Sequence, residues 1–191
     1  TFESFYTYLK DAFYQDPNGS DAFGDVFVKR NGAGATVKGL TLEFRANLKQ
    51  KIQIESGLTI QQSVYDNPVS YSDNLPNQSE FLRTPSKYGY ATISYAATDK
   101  INLSANLVYT GSMNLIHLAG SPEQFDDEFL VSPVFNAIGL KATYVQTVKR
   151  LGLKFEYSAG LKNLTNDYQQ DFDSLKDRDS NFIYGPSLPR T

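Results

Sequence analysis

The chain has 191 residues, of which 40% are hydrophobic and 14% aromatic, and a formal net charge of −3. This composition suits one folded domain rather than a disordered chain, and no basic stripe dominates any stretch, which argues against nucleic acid as a partner. Cysteine is absent, so disulfides, thiolate metal sites and cysteine nucleophiles are excluded together. No run of about eighteen apolar residues occurs, which rules out a membrane-spanning helix but not β-spans, whose alternation escapes hydropathy windows.

The segment 2–14, FESFYTYLKDAFY, is strand-like without clear faces. A polar connection over 15–24 follows, and then NGAGATVKG over 31–39. Its glycine density suggests a phosphate loop, but the Gly-Lys-Ser/Thr ending is missing and no helix follows. Gly32, Gly34 and Gly39 therefore read as positions where the backbone bends or a neighbouring strand comes close. Over 41–48, Leu42, Phe44, Ala46 and Leu48 alternate with Thr41, Glu43, Arg45 and Asn47. A tight turn at Lys49 and Gln50 leads to a matching segment, with Ile52, Ile54, Leu58 and Ile60 opposite Lys51, Gln53, Glu55, Thr59 and Gln61. Period two of this length marks strands with two different faces.

A long connection spans 66–83, and a noisier strand, 88–96, carries Ile93 and Tyr95. The turn ATDK (97–100) precedes 101–110, where Ile101, Leu103, Ala105, Leu107 and Tyr109 alternate with Asn102, Ser104, Asn106, Val108 and Thr110. After a second long connection, 111–132, the strand 134–148 carries Ile138, Leu140, Ala142 and Tyr144. The turn VKRL then leads to 151–162, where Leu153, Phe155, Tyr157, Ala159 and Leu161 oppose Lys154, Glu156, Ser158 and Lys162. A last long connection covers 164–187, and PSLPRT reads as the possible start of an eighth strand. The reading is all-β: an antiparallel meander of seven to eight strands.

Every second connection is long, which puts all the long loops at one end of the sheet. Those four loops hold 14 of the 21 acids and 3 of the 18 bases, a net −11, which leaves +8 for the rest. Lys49, Lys51, Lys100, Lys149 and Arg150 crowd the short-turn end. Tight turns at one end and long polar loops at the other describe an outer-membrane barrel with lipid on its apolar face. A soluble lipocalin-type barrel would reverse the faces, and alternation alone does not separate the two. Loop asymmetry favours the membrane, as do the aromatics Tyr65, Tyr88, Tyr90, Tyr109, Tyr144 and Phe135, read as interfacial girdles.

Four stretches carry a family resemblance: NGAGATVKGLTLEF (31–44), RTPSKYGYATISYAATDKINLSANLVYTGSM (83–113), SAGLKNLTNDYQ (158–169) and FIYGPSLPRT (182–191). In order and spacing they resemble the C-terminal barrel half of TonB-dependent outer-membrane receptors, and the ending is similar to the Bacteroidetes branch. The resemblance covers essentially everything from about Phe23. It implies a barrel of about twenty-two strands closed by an N-terminal plug domain and energised by a TonB-type partner. It further implies that this chain is the C-terminal segment of that barrel, with plug, partner-binding box, signal peptide and last strand absent from these residues. The function implied is active import of a scarce nutrient of the ferric siderophore or cobalamin class, with a SusC-like glycan importer as a variant. Outer-membrane lipid and a small-molecule or chelate substrate are the expected partners.

No catalytic constellation emerges and no cofactor is expected. His117 is the single histidine and reads as a loop residue with no special role. The acids Asp126, Asp127 and Glu128, and Asp171, Asp173, Asp177 and Asp179, miss the spacing of a calcium loop and read as solvated. The loop aromatics Tyr71, Phe81, Phe125, Phe129, Phe182 and Tyr184 are candidates for ligand contact at the outer vestibule, against the alternative that they pack the loops together.

Overall fold

In the computed structural model the described residues are 1–22, 24–120, 124–173, 179, 182–186 and 188–191. The strands are β1 (Phe2–Leu9), β2 (Phe13–Asp21), β3 (Gly24–Asn31), β4 (Ala35–Leu48), β5 (Ile52–Val69), β6 (Gln78–Glu80), β7 (Lys87–Ala96), β8 (Ile101–Thr110), β9 (Asn114–His117), β10 (Glu128–Val131), β11 (Phe135–Val148) and β12 (Leu153–Leu161). Seven of them form one antiparallel meander in the order β1-β4-β5-β7-β8-β11-β12, with β6 added against β5. These are the seven strands expected from alternation. Two small hairpins, β2/β3 and β9/β10, stand apart from it.

Register keeps the two faces separate across the whole sheet, because side chains directly opposite one another share a face. On one face Leu42 lies opposite Leu58, Leu48 opposite Ile52, Ile54 opposite Ile93, Leu103 opposite Ala142, and Leu140 opposite Leu161. On the other, Arg45 faces Glu55, Ser94 faces Ser104 and Val145 faces Glu156. Hydroxyl pairs reinforce the polar side: Thr41 with Thr59 at 3.0 Å and Thr143 with Ser158 at 3.2 Å. The apolar face remains open, with Leu42 60% and Phe44 55% exposed. A contiguous apolar surface of this extent marks a partner or membrane face.

The three short turns fall where expected, at 49–51, 97–100 and 149–152. The glycines of 31–39 act as expected too: a Cβ on Gly39 would lie 2.5 Å from the Ile60 carbonyl oxygen, and one on Gly34 would press on the Tyr8 hydroxyl that bonds Asp66. The beginning of the chain differs. The stretch 2–14 is not one strand but the end-to-end pair β1 and β2, broken at residues 10–12, and most of the expected loop 15–24 belongs to the β2/β3 hairpin. Asp, Pro, Asn and Gly over 16–19 signal a turn, and the ladder answers with a register shift between Pro17 and Ser20 instead of ending there.

The aromatic belt also needs correction. Tyr88 lies opposite Thr59 and Thr110, Tyr90 opposite Gly57 and Val108, and Phe135 opposite Thr110, which puts all three on the polar face; Tyr65 turns to the same side. Tyr109 and Tyr144 do lie on the apolar face, joined near the short turns by Tyr95, Phe155 and Tyr157. Tyr144 and Tyr157 stack with ring centroids 6.3 Å apart.

β1 and β12 are the outer strands of the sheet, and every residue of β12 is exposed. A lipocalin-type barrel would pair these two strands and turn the apolar face inward; neither occurs among the described residues. Beside β12, Thr191 and Lys162 exchange both backbone hydrogen bonds, at 3.1 and 2.6 Å, the pattern of a starting antiparallel ladder. PSLPRT thus enters sheet pairing at its last residue. The buried apolar cluster of Met113, Leu115 and Phe182, flanked by Leu130 and Tyr184, sits at the long-loop end.

Candidate functional site

The long loops pack on one another through polar ties that the acidic residues supply. Asp127 accepts hydrogen bonds from the Ser72 hydroxyl, from Asn74 Nδ2 at 3.1 Å and from the Ala119 N–H at 2.7 Å, so it joins the β5–β7 connection to the β8–β11 connection. Partial burial works against its ionisation, but these three bonds outweigh it and hold its pKa below the ordinary value. His117, at the end of β9, stacks on Phe182 with centroids 3.8 Å apart, and its Nε2 lies 2.9 and 3.0 Å from the two Asp173 oxygens. Asp173 also accepts the Asp179 N–H, and Asp179 accepts the Leu118 N–H. The lone histidine therefore does have a role, tying β9 to the last long connection. Asp177 lies outside the described residues.

Gln169, 1% exposed, completes the packing. Its Nε2 donates to the Phe182 carbonyl at 3.0 Å and its Oε1 accepts the Tyr184 N–H at 2.9 Å. Tyr184 donates its hydroxyl to Asp171, and its own pKa is raised by burial first and by that carboxylate second. Among the described residues no group of three or more His, Asp or Glu is placed to hold a metal ion, and no helix is long and apolar enough to cross a membrane.

Between these ties lies a cleft of about 510 Å³. The β2/β3 hairpin contributes Phe13, Tyr14, Phe27 and Lys29; the end of β5 contributes Tyr65; the following connection contributes Tyr71, Phe81, Leu82 and Arg83; Ile116 of β9 and Leu118 just after it close the cleft. Tyr65 and Phe81 pack with ring centroids 4.3 Å apart. The Tyr71 hydroxyl sits 3.5 Å from that of Tyr65, and burial, then this contact, raises the Tyr71 pKa and keeps the phenol neutral. Arg83 sits in the left-handed region at φ 53 while its N–H bonds the Asn114 carbonyl at 2.8 Å. The cleft is chemically mixed, with aromatic walls and two cationic side chains at its edge. Such a site takes a planar, aromatic, anionic guest better than a neutral polar one.

Of the six aromatic candidates, Tyr71 and Phe81 meet in this cleft. Phe182 and Tyr184 are brought together elsewhere, in the loop-packing cluster, with rings 5.3 Å apart. Phe129 is half-buried in β10 opposite Ile116, and Phe125 is 83% exposed. The residues missed by sequence reasoning are Phe13, Tyr14, Phe27, Lys29, Tyr65 and Arg83. Alternation over 24–31 was the available signal for the hairpin, but its faces differ little in polarity.

The fold is an open antiparallel sheet with one apolar and one polar face, of the kind that forms part of the wall of an outer-membrane barrel. Among solved structures, the chain is similar to the closed form of the ferric-catecholate import receptor Fiu from E. coli K12, with a TM-score of 0.61 and 20% identity over 99% of this chain and 24% of that one. It is also similar to a double mutant of the ferric enterobactin receptor PfeA from Pseudomonas aeruginosa, with a TM-score of 0.58 and 17% identity over 100% of this chain and 26% of that one. The chain thus spans about a quarter of the length of these receptors. No family model matches it, and no curated protein does. An all-β antiparallel sheet, consistent with part of a larger outer-membrane barrel, is what the resemblance implied for these residues.

Proposed function

We propose that this chain is a C-terminal wall segment of a TonB-dependent outer-membrane transporter that imports a ferric siderophore with aromatic, anionic chelating groups. The loop-end cleft carries the proposal: aromatic walls together with Lys29 and Arg83 suit such a chelate better than a neutral cobalamin-like guest. The likeness to two ferric siderophore receptors supports the class.

In this reading the apolar face meets lipid. Leu40 to Leu48 presents alternating apolar residues over nine positions, which fits the about nine to eleven that a tilted β-strand needs to cross a bilayer. The polar face, with Arg45, Glu55 and Lys154, lines a hydrated lumen beside a plug, and the short turns lie on the periplasmic side. Plug and transducer contacts belong to other parts of the receptor. The chain's own residues bind and orient the substrate, and none performs covalent chemistry.

The test is equilibrium dialysis of the intact receptor against a ferric catecholate. Tyr71→Ala, Phe81→Ala and Arg83→Gln should each weaken binding at least about tenfold, or ~1.4 kcal/mol, whereas Phe125→Ala should change little. Unchanged affinity in all three cleft variants would overturn the assignment of the site.

A further inference from the structure

The opposite end of the sheet carries a second feature that substrate uptake does not use. The three short turns at 49–51, 97–100 and 149–152 hold Lys49, Lys51, Lys100, Lys149 and Arg150, all exposed, against one acid, Asp99. Among the described residues none of the five pairs with an acidic side chain. Successive turns are two strands apart in the sheet order, about 10 Å at the usual strand spacing, so the cations form a rim roughly 20 Å long.

The rim begins where the apolar face ends. Leu48 and Ile52, then Ile101, then Val148 and Leu153 are the last residues of the apolar face before the turns, with Tyr95 and Tyr144 level with Ile52 and Ile101, and Phe155 and Tyr157 next along β12. The first turn points the same way. Lys49 and Gln50 both have left-handed backbones, at φ 51 and 56, in a tight hairpin turn where Asn-Gly is favoured. Lysine stands there against its conformational preference.

We propose that this rim binds the headgroups of anionic phospholipid, of the phosphatidylglycerol type, in the leaflet at the short-turn end. Unneutralised cations in line, directly beyond an apolar band and its aromatic belt, lie at headgroup depth, where an anionic surface attracts them. A soluble acidic protein would require no such continuity with the apolar face. The proposal rests on the membrane reading given above.

The intact receptor, reconstituted into phosphatidylcholine vesicles with a minor share of phosphatidylglycerol, is cut out in polymer nanodiscs and its retained lipid is quantified by mass spectrometry. Phosphatidylglycerol should be enriched about threefold over the vesicle average and lose that enrichment at high salt. The variant K49Q/K51Q/K100Q/K149Q/R150Q should show none, and K49R/K51R/K100R/K149R should keep it. Equal lipid composition in wild type and bulk, or unchanged enrichment in the neutralised variant, overturns the proposal while leaving the transporter reading intact. Retention of a soluble acidic protein without lipid enrichment overturns it in favour of that partner. Failure of the wild type to insert into the vesicles overturns both readings.

Discussion

Asp127 shows how an acidic loop residue acquires a structural task. Its three donors come from two different connections, and together they hold its pKa below 3.8. A carboxylate with a lowered folded-state pKa contributes stability that is fully present above the unfolded value and is lost as pH falls through the folded one. The loop ends should therefore resist pepsin at pH near 4.5 and open as pH drops below about 3.8, while Asp127→Asn should already be cleaved faster at the higher pH. Pepsin sensitivity independent of both pH and the substitution would refute the tie. Gly185 is the second residue whose role is local: a Cβ there would lie 2.5 Å from the Phe135 ring. Gly185→Ala should destabilise the last connection by about 1–3 kcal/mol, the usual scale of overpacking, read as faster proteolysis with the sheet unaffected. Sequence showed neither task, because an acid in a polar loop looks the same whether solvated or bonded.

At the scale of elements, β8 states the orientation problem most clearly. Leu103 and Leu107 share the apolar face with Ala142 and Ile138, and Asn102 and Ser104 share the polar one with Thr143 and Lys141. The chain has no cysteine, so single nitroxide labels are readily placed. In a bilayer, labels at Leu103 and Leu107 should collide with oxygen dissolved in lipid, and those at Asn102 and Ser104 with an aqueous nickel chelate; the reverse pattern would refute the face assignment. The first short turn gives a separate check. Replacing Lys49 and Gln50 by Asn and Gly should stabilise the hairpin by about 1 kcal/mol by relieving two left-handed non-glycine residues, measured as a shift in the urea midpoint. Of the elements that sequence misread, β6, β9 and β10 are short and lie inside polar connections, and β2 and β3 have little contrast between their faces.

For the whole molecule, the segregation of charge corresponds to a division of tasks. Acids gather where loops must be tied together around a cleft, and bases gather where three turns end the apolar band. The sheet leaves its apolar face open, and among the described residues β1 and β12 end it without pairing to each other. A sheet with two open edges is an aggregation hazard that barrel closure removes, which fits a chain spanning about a quarter of the receptors it resembles.

The sequence by itself determined the strands of the main sheet, their alternating connection lengths and the two faces, because period two and turn chemistry act over a few neighbouring residues. Tertiary structure alone decided which aromatics belong to the belt and which to the cleft. Tyr65 and Phe81 are separated by most of a long connection, Phe13 and Tyr71 by three further strands, and a pocket built from four separate stretches leaves no local pattern. The same holds for His117 and Asp173, 56 positions apart. Their pairing follows from the folding back of one polar loop on another, where burial of two opposite partners, rather than spacing, selects the contact.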